Sequence, residues 1–196
     1  MTTTQQRIDD PTGVFITGAP GLGRPDLVVE FVSGARESGA DVHIIDVPSD
    51  GCDYSRVDAV LHTDIRDAVN AFRALLRHST AERPVVVAVN SLAATLRHEG
   101  RLDYRFDDEK LNVDRENQLR DELGDLIADA FVFGASRGVI PIVETPEERT
   151  VPLISRVKQA SSGWVHVAFT AAGEGTLHSE RGAVPFHLPT RSEGGA

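Results

Sequence analysis

Nine consecutive residues near the start of the chain, Thr17-Gly18-Ala19-Pro20-Gly21-Leu22-Gly23-Arg24-Pro25, have the composition of a phosphate cradle. Glycines let a backbone turn tightly and approach a phosphate, whose charge then faces the N-terminus of the following helix. Two nucleotide chemistries fit such a loop. A P-loop requires G-x-x-x-x-G-K-[ST]. Gly18 and Gly23 have that spacing, but Arg24 and Pro25 stand where lysine and a hydroxyl residue belong. Pro25 offers no hydroxyl to magnesium, and Asn90 stands where a magnesium-organising aspartate should be. A dinucleotide loop requires closely spaced glycines and an acid about 20 residues on. Gly18, Gly21, Gly23 and Asp46 meet that requirement, and a carboxylate on the ribose hydroxyls favours NAD over NADP. The third reading is a strand-to-helix turn that binds nothing.

Other reactive groups are sparse. Seven histidines are scattered without H-x-x-x-H or H-E-x-x-H grouping, so no metal site is expected. No G-x-S-x-G elbow marks a nucleophilic serine. Cys52 is the single cysteine, which excludes an internal disulfide and a cysteine zinc cluster. The two tyrosines are Tyr54 and Tyr104, and the two lysines Lys110 and Lys158.

The elements around the loop read as alternating strands and helices. Val14–Thr17, Asp41–Asp46, Val57–His62, Val85–Val89, Ala130–Phe133 and Val184–Leu188 are expected strands. Asp26–Ser38, Ile65–Arg77 and Val113–Ala128 are expected helices, with Arg97–Lys110 an excursion. Such alternation predicts a doubly wound, parallel α/β sheet of the Rossmann type, in the order 3-2-1-4-5-6. The 196 residues suit one domain, expected over residues 12–190 between polar tails at 1–11 and 191–196. The composition, 40% apolar and 26% charged, is globular. No apolar run reaches membrane-spanning length and the first residues lack a secretory pattern, so a reduced cytoplasmic setting is expected. A net charge of −10 argues against nucleic acid and anionic lipid as partners.

The order of these segments resembles the extended short-chain dehydrogenase/reductase family, the NAD-dependent epimerases and dehydratases. VFITGAPGLG is similar to its glycine loop, and HIID to its second strand with the ribose-binding acid. DIRD at Asp64–Asp67 is similar to its adenine-flanking segment, and VVVAVNSLAA to its fourth strand. Asn112-Val113-Asp114 stands where the family opens a long helix, and FVFGASRGVI resembles its fifth-strand segment ending in a catalytic serine. The resemblance implies a cofactor site of Gly18, Gly21, Gly23, Asp46, Asp64, Ile65, Asn90 and Ser91. It further implies catalytic roles for Ser136 and Lys158, NAD as cofactor, a sugar or polyol-type alcohol as substrate, and a homodimer.

Three departures bear on that expectation. The glycine loop is one residue short. The family's tyrosine, four residues before its lysine, is replaced by Ile154 ahead of Lys158, and isoleucine moves no proton. The chain also ends where the family builds its substrate half. The leading expectation is therefore an NAD-binding protein and, if it is active, an atypical oxidoreductase. The alternatives are a non-catalytic cofactor sensor or scaffold, and a degenerate P-loop ATPase.

Overall fold

The computed structural model describes residues 12–47, 53–100, 107–146 and 163–188. Its parallel strands form from short, β-rich apolar runs: β1 (Gly13–Thr17), β2 (Asp41–Ile45), β4 (Val85–Val89) and β5 (Val139–Thr145). β1 and β4 are buried along their whole length, as a strand covered on both faces must be. β3 (Val60–His62) is a short edge strand, and β6 (Trp164–Ala171), β7 (Glu174–Ser179) and β8 (Gly182–His187) complete the sheet. Helix α1 (Arg24–Glu37) puts Leu27, Val28 and Val32 on one face of the sheet. The helices α2 (Ile65–His78), α3 (Leu92–Thr95) and α4 (Asp107–Phe133) cover the other, through Val69, Phe72, Leu92, Leu123 and Ile127. The architecture is thus the expected doubly wound α/β sheet, here of eight strands.

The strand order differs from 3-2-1-4-5-6. It is β3-β2-β4-β5-β1-β6-β7-β8, parallel from β3 to β6 and antiparallel beyond. β5 lies between β4 and β1, so the glycine loop does not adjoin the end of β4 as it would in the expected order. Right-handed crossovers are compatible with either order, and local sequence cannot choose between them.

Ala130–Phe133 is the last turn of α4 and not a strand. Its buried positions continue a helical stripe, Leu123, Ile127, Ala130 and Phe131, while Phe133 is exposed. A four-residue apolar run carries no period long enough to separate the two structures. Gly134 ends the helix where a Cβ would strike the Ala130 and Val139 carbonyls. The true fifth strand, β5, follows Gly138. Asn112 lies inside α4, which opens five residues earlier at Asp107, so it is not the helix cap. β6 and β7 were not expected. Val184–Leu188 corresponds to β8, an antiparallel edge strand.

Candidate functional site

The carboxyl ends of β2, β4, β5 and β1 lie side by side, because the register pairs Ile45 with Val89, Val89 with Val143, and Thr17 with Thr145. Each apolar strand ends there in polar residues: Asp46, Asn90, Glu144 with Thr145, and the glycine loop. Ligands bind open α/β sheets at this edge.

The loop leaves β1 at Gly18 and enters α1 at Gly23, in conformations that require glycine. Gly18 has φ 147°, and a Cβ built on it would lie 2.7 Å from Phe169 Cβ on β6. Gly23 has φ 96° and caps α1 without a side chain, while its carbonyl accepts from Leu27 N at 3.1 Å. Gly173 in the β6–β7 turn donates to the Leu22 carbonyl at 3.0 Å, which ties the loop to the far half of the sheet. Pro25 lies in the first turn of α1, where a missing N–H costs nothing.

Arg24, 7% exposed, turns its guanidinium inward, and Nη1 donates to Glu144 Oε1. Glu144 is 1% exposed, and its second oxygen, Oε2, accepts from the Ser91 backbone N–H at 2.8 Å. That contact holds Ser91 at φ 47°, a left-handed conformation that no other described non-glycine residue adopts. A cation in the first turn of a helix opposes the helix dipole, and a carboxylate bonded to it offsets that cost. One strand further, Asn90 Nδ2 donates to Asp46 Oδ1 at 2.8 Å, with both residues fully buried. Thr95 Oγ1 in turn donates to the Asn90 carbonyl at 3.0 Å. The site is a row of internally paired polar groups: Arg24 with Glu144, Glu144 with Ser91, Asn90 with Asp46.

This arrangement does not fit magnesium. Pro25 has no hydroxyl, Asn90 is neutral, and no group of three or more potential metal ligands occurs among the described residues. It does not fit NAD either. Asp46 is 1% exposed and held by Asn90, not offered to a ribose.

The sequence-selected residues are only partly gathered here. Gly18, Gly21, Gly23, Asp46, Asn90 and Ser91 lie at the carboxyl edge. Asp64 is the N-cap of α2, accepting from Arg66 N at 2.9 Å and Asp67 N at 3.0 Å. Ile65 is buried in the core beneath that helix. Both directly follow the carboxyl end of β3, at the same edge of the sheet. Ser136 donates to the Phe133 carbonyl at 2.8 Å in a 3-10 turn before β5. It therefore lies at the amino end of a strand parallel to β1, across the sheet from the glycine loop, and serves as a turn cap. Lys158, Ile154, Tyr104, Cys52 and the two expected tails lie outside the described residues. Sequence reasoning missed Glu144. Its signal was an apolar run, Val139–Val143, ending in an acid, the same pattern that drew attention to Asp46.

No protein-family model matches the sequence, and no curated protein matches it. Solved structures do match. The pCW3 conjugation coupling protein TcpA, in its monomer form with ATPγS, superposes with a TM-score of 0.67 at 12% identity, over 90% of this chain and 60% of that one. EccC of Thermomonospora curvata (ATPases 2 and 3, with a signal sequence peptide) gives 0.60 at 15% identity, over 92% of this chain and 37% of its own. The genome packaging NTPase B204 of Sulfolobus turreted icosahedral virus 2, with AMPPCP, gives 0.59 at 10% identity, over 92% and 98%. At these identities the likeness is one of fold, and this chain spans 60% and 37% of the first two. It corrects the expected family: the similar folds are those of ATPases and not of short-chain dehydrogenases. With that family go NAD as cofactor, the oxidoreductase reading, and the sugar or polyol substrate and homodimer that rested on it.

Proposed function

Proceeding from an ATPase-like fold whose glycine loop is intact and whose reactive positions are changed, we propose that this chain is a degenerate P-loop ATPase domain without magnesium-dependent phosphoryl transfer. The observation that carries this reading is the buried Arg24–Glu144 pair. In a P-loop the cation after the second glycine meets phosphate. Here a carboxylate of the chain already neutralises that cation. The hydroxyl that would hold magnesium is Pro25, and the acid that would organise the ion is Asn90. Phosphoryl transfer depends on positioning and on neutralising charge as it develops, and three of the positions that supply these are altered together.

The domain's role is then that of a nucleotide-fold module whose work is structural or regulatory. No described helix is long and apolar enough to cross a membrane. A nucleoside phosphate enters this site only by displacing Glu144 from Arg24, and without help from magnesium.

Calorimetric titration with ATP, with and without magnesium, alongside a phosphate-release assay tests the reading. The expected outcome is no turnover above the blank, and ATP affinity that is indifferent to magnesium and tightens in Glu144→Gln. Magnesium-dependent hydrolysis that disappears in Arg24→Ala would overturn it.

A further inference from the structure

At the outer margin of the sheet, away from the glycine loop, two histidines and an aspartate form a chain of contacts. His43 Nδ1 on β2 lies 3.0 Å from His62 Nε2 on β3, with the two rings within 4° of parallel. His62 Nδ1 lies 2.6 Å from Asp67 Oδ2 on α2. β3 is the outermost strand, only three residues long, and its Val60 and Leu61 are 52% and 47% exposed. A strand that short gains little from its ladder, so a side-chain bond to its neighbour counts heavily.

We propose that the His43–His62 hydrogen bond is an acid-sensitive clasp that holds the edge strand β3 to β2. A bond between two imidazole nitrogens needs one donor and one acceptor. Asp67 accepts from His62 Nδ1, so His62 Nε2 either accepts from a neutral His43 or, when His62 is charged, donates to it. Both states keep the bond. When both rings are imidazolium no acceptor remains, and two like charges face each other. The surroundings favour a neutral His43. Burial and the adjacent His62 hold its pKa below the ordinary 6.5, and Asp41 on its own strand opposes them in part. Asp41 is itself engaged by Arg36 and Arg83. Across the face β4 contributes the apolar Val85, Val87 and Val89, and α2 sends Asp67 to His62. A lowered native pKa means the unfolded chain takes the proton first. The clasp is therefore intact above about pH 6.5 and is lost as the pH falls below that. Asp46 joins the clasp to the candidate site: its N–H donates to the His62 carbonyl at 2.9 Å while its carboxylate holds Asn90.

Amide hydrogen exchange from about pH 7.5 to about pH 5, where carboxylates stay ionised, tests the proposal after correction for intrinsic rates. Protection of the β3 amides should fall by up to about tenfold per pH unit from about pH 6.5 down to the lowered His43 pKa and level off beneath it, while β5 amides hold. In His43→Asn the amide donates from the place of Nδ1 but does not titrate, so protection of β3 should stay flat. In the unmodified protein, nitrogen NMR should give His43 and β3 opening one shared midpoint. Equal changes in β3 and β5, unaltered acid dependence in His43→Asn, or two separate midpoints would each overturn the clasp.

Discussion

Arg24 and Glu144 show what a change of two side chains does to a glycine loop. Each is buried, and each is costly without the other, since removing one partner of a buried ion pair leaves an uncompensated charge. Glu144→Ala is expected to destabilise the protein by about 3–5 kcal/mol, measured by urea denaturation. Joint replacement of Arg24 and Glu144 by leucines should recover most of that loss, because the desolvation cost of both charges disappears. A double replacement as unstable as the single one would mean that the contact of Glu144 with the Ser91 backbone, and not the ion pair, sets its importance. Arg24 was readable as a departure from lysine, and its consequence was not, because its partner is 120 residues away in sequence.

At the scale of elements, signals carried within one segment proved dependable. α2 was expected from the spacing of its apolar residues and from Ile65 onward, and it begins there. Asp64 stands at its head as a cap, and that structural role replaces the adenine contact the family resemblance implied. Asp64→Ala should therefore cost about 1 kcal/mol of stability, read as a lowered melting temperature, and leave ATP affinity unchanged. A change in ATP affinity at full helicity would return Asp64 to the site. The failures came where an element is defined by its neighbours. Ala130–Phe133 has strand-like residues but is joined to a helix that starts at Asp107. β6 and β7 alternate with solvent on a hairpin and have no long apolar run to announce them.

For the whole molecule, the balance of 30 acidic against 20 basic residues sets its dealings with large polyanions. Two of the similar folds belong to proteins of conjugation and genome packaging, yet this chain's charge repels a phosphate backbone. Fluorescence anisotropy with a labelled DNA duplex should show no binding that strengthens as salt is lowered. A steep salt-dependent affinity would reveal a basic patch that the net charge hides.

The sequence by itself determined the class of fold, the place of the glycine loop and the absence of a proton-moving tyrosine beside Lys158. Those properties are written in short-range patterns: apolar runs, glycine spacing and residue identity. Only the tertiary structure decided where β5 inserts. That insertion separates the loop from β4 and brings Glu144 against Arg24, while the helical state of Ala130–Phe133 leaves Ser136 ahead of β5, at the opposite edge of the sheet. Strand order is fixed by the packing of all the helices and strands at once, through contacts between residues far apart in the chain. The chemistry of this edge follows from that order and not from any one motif.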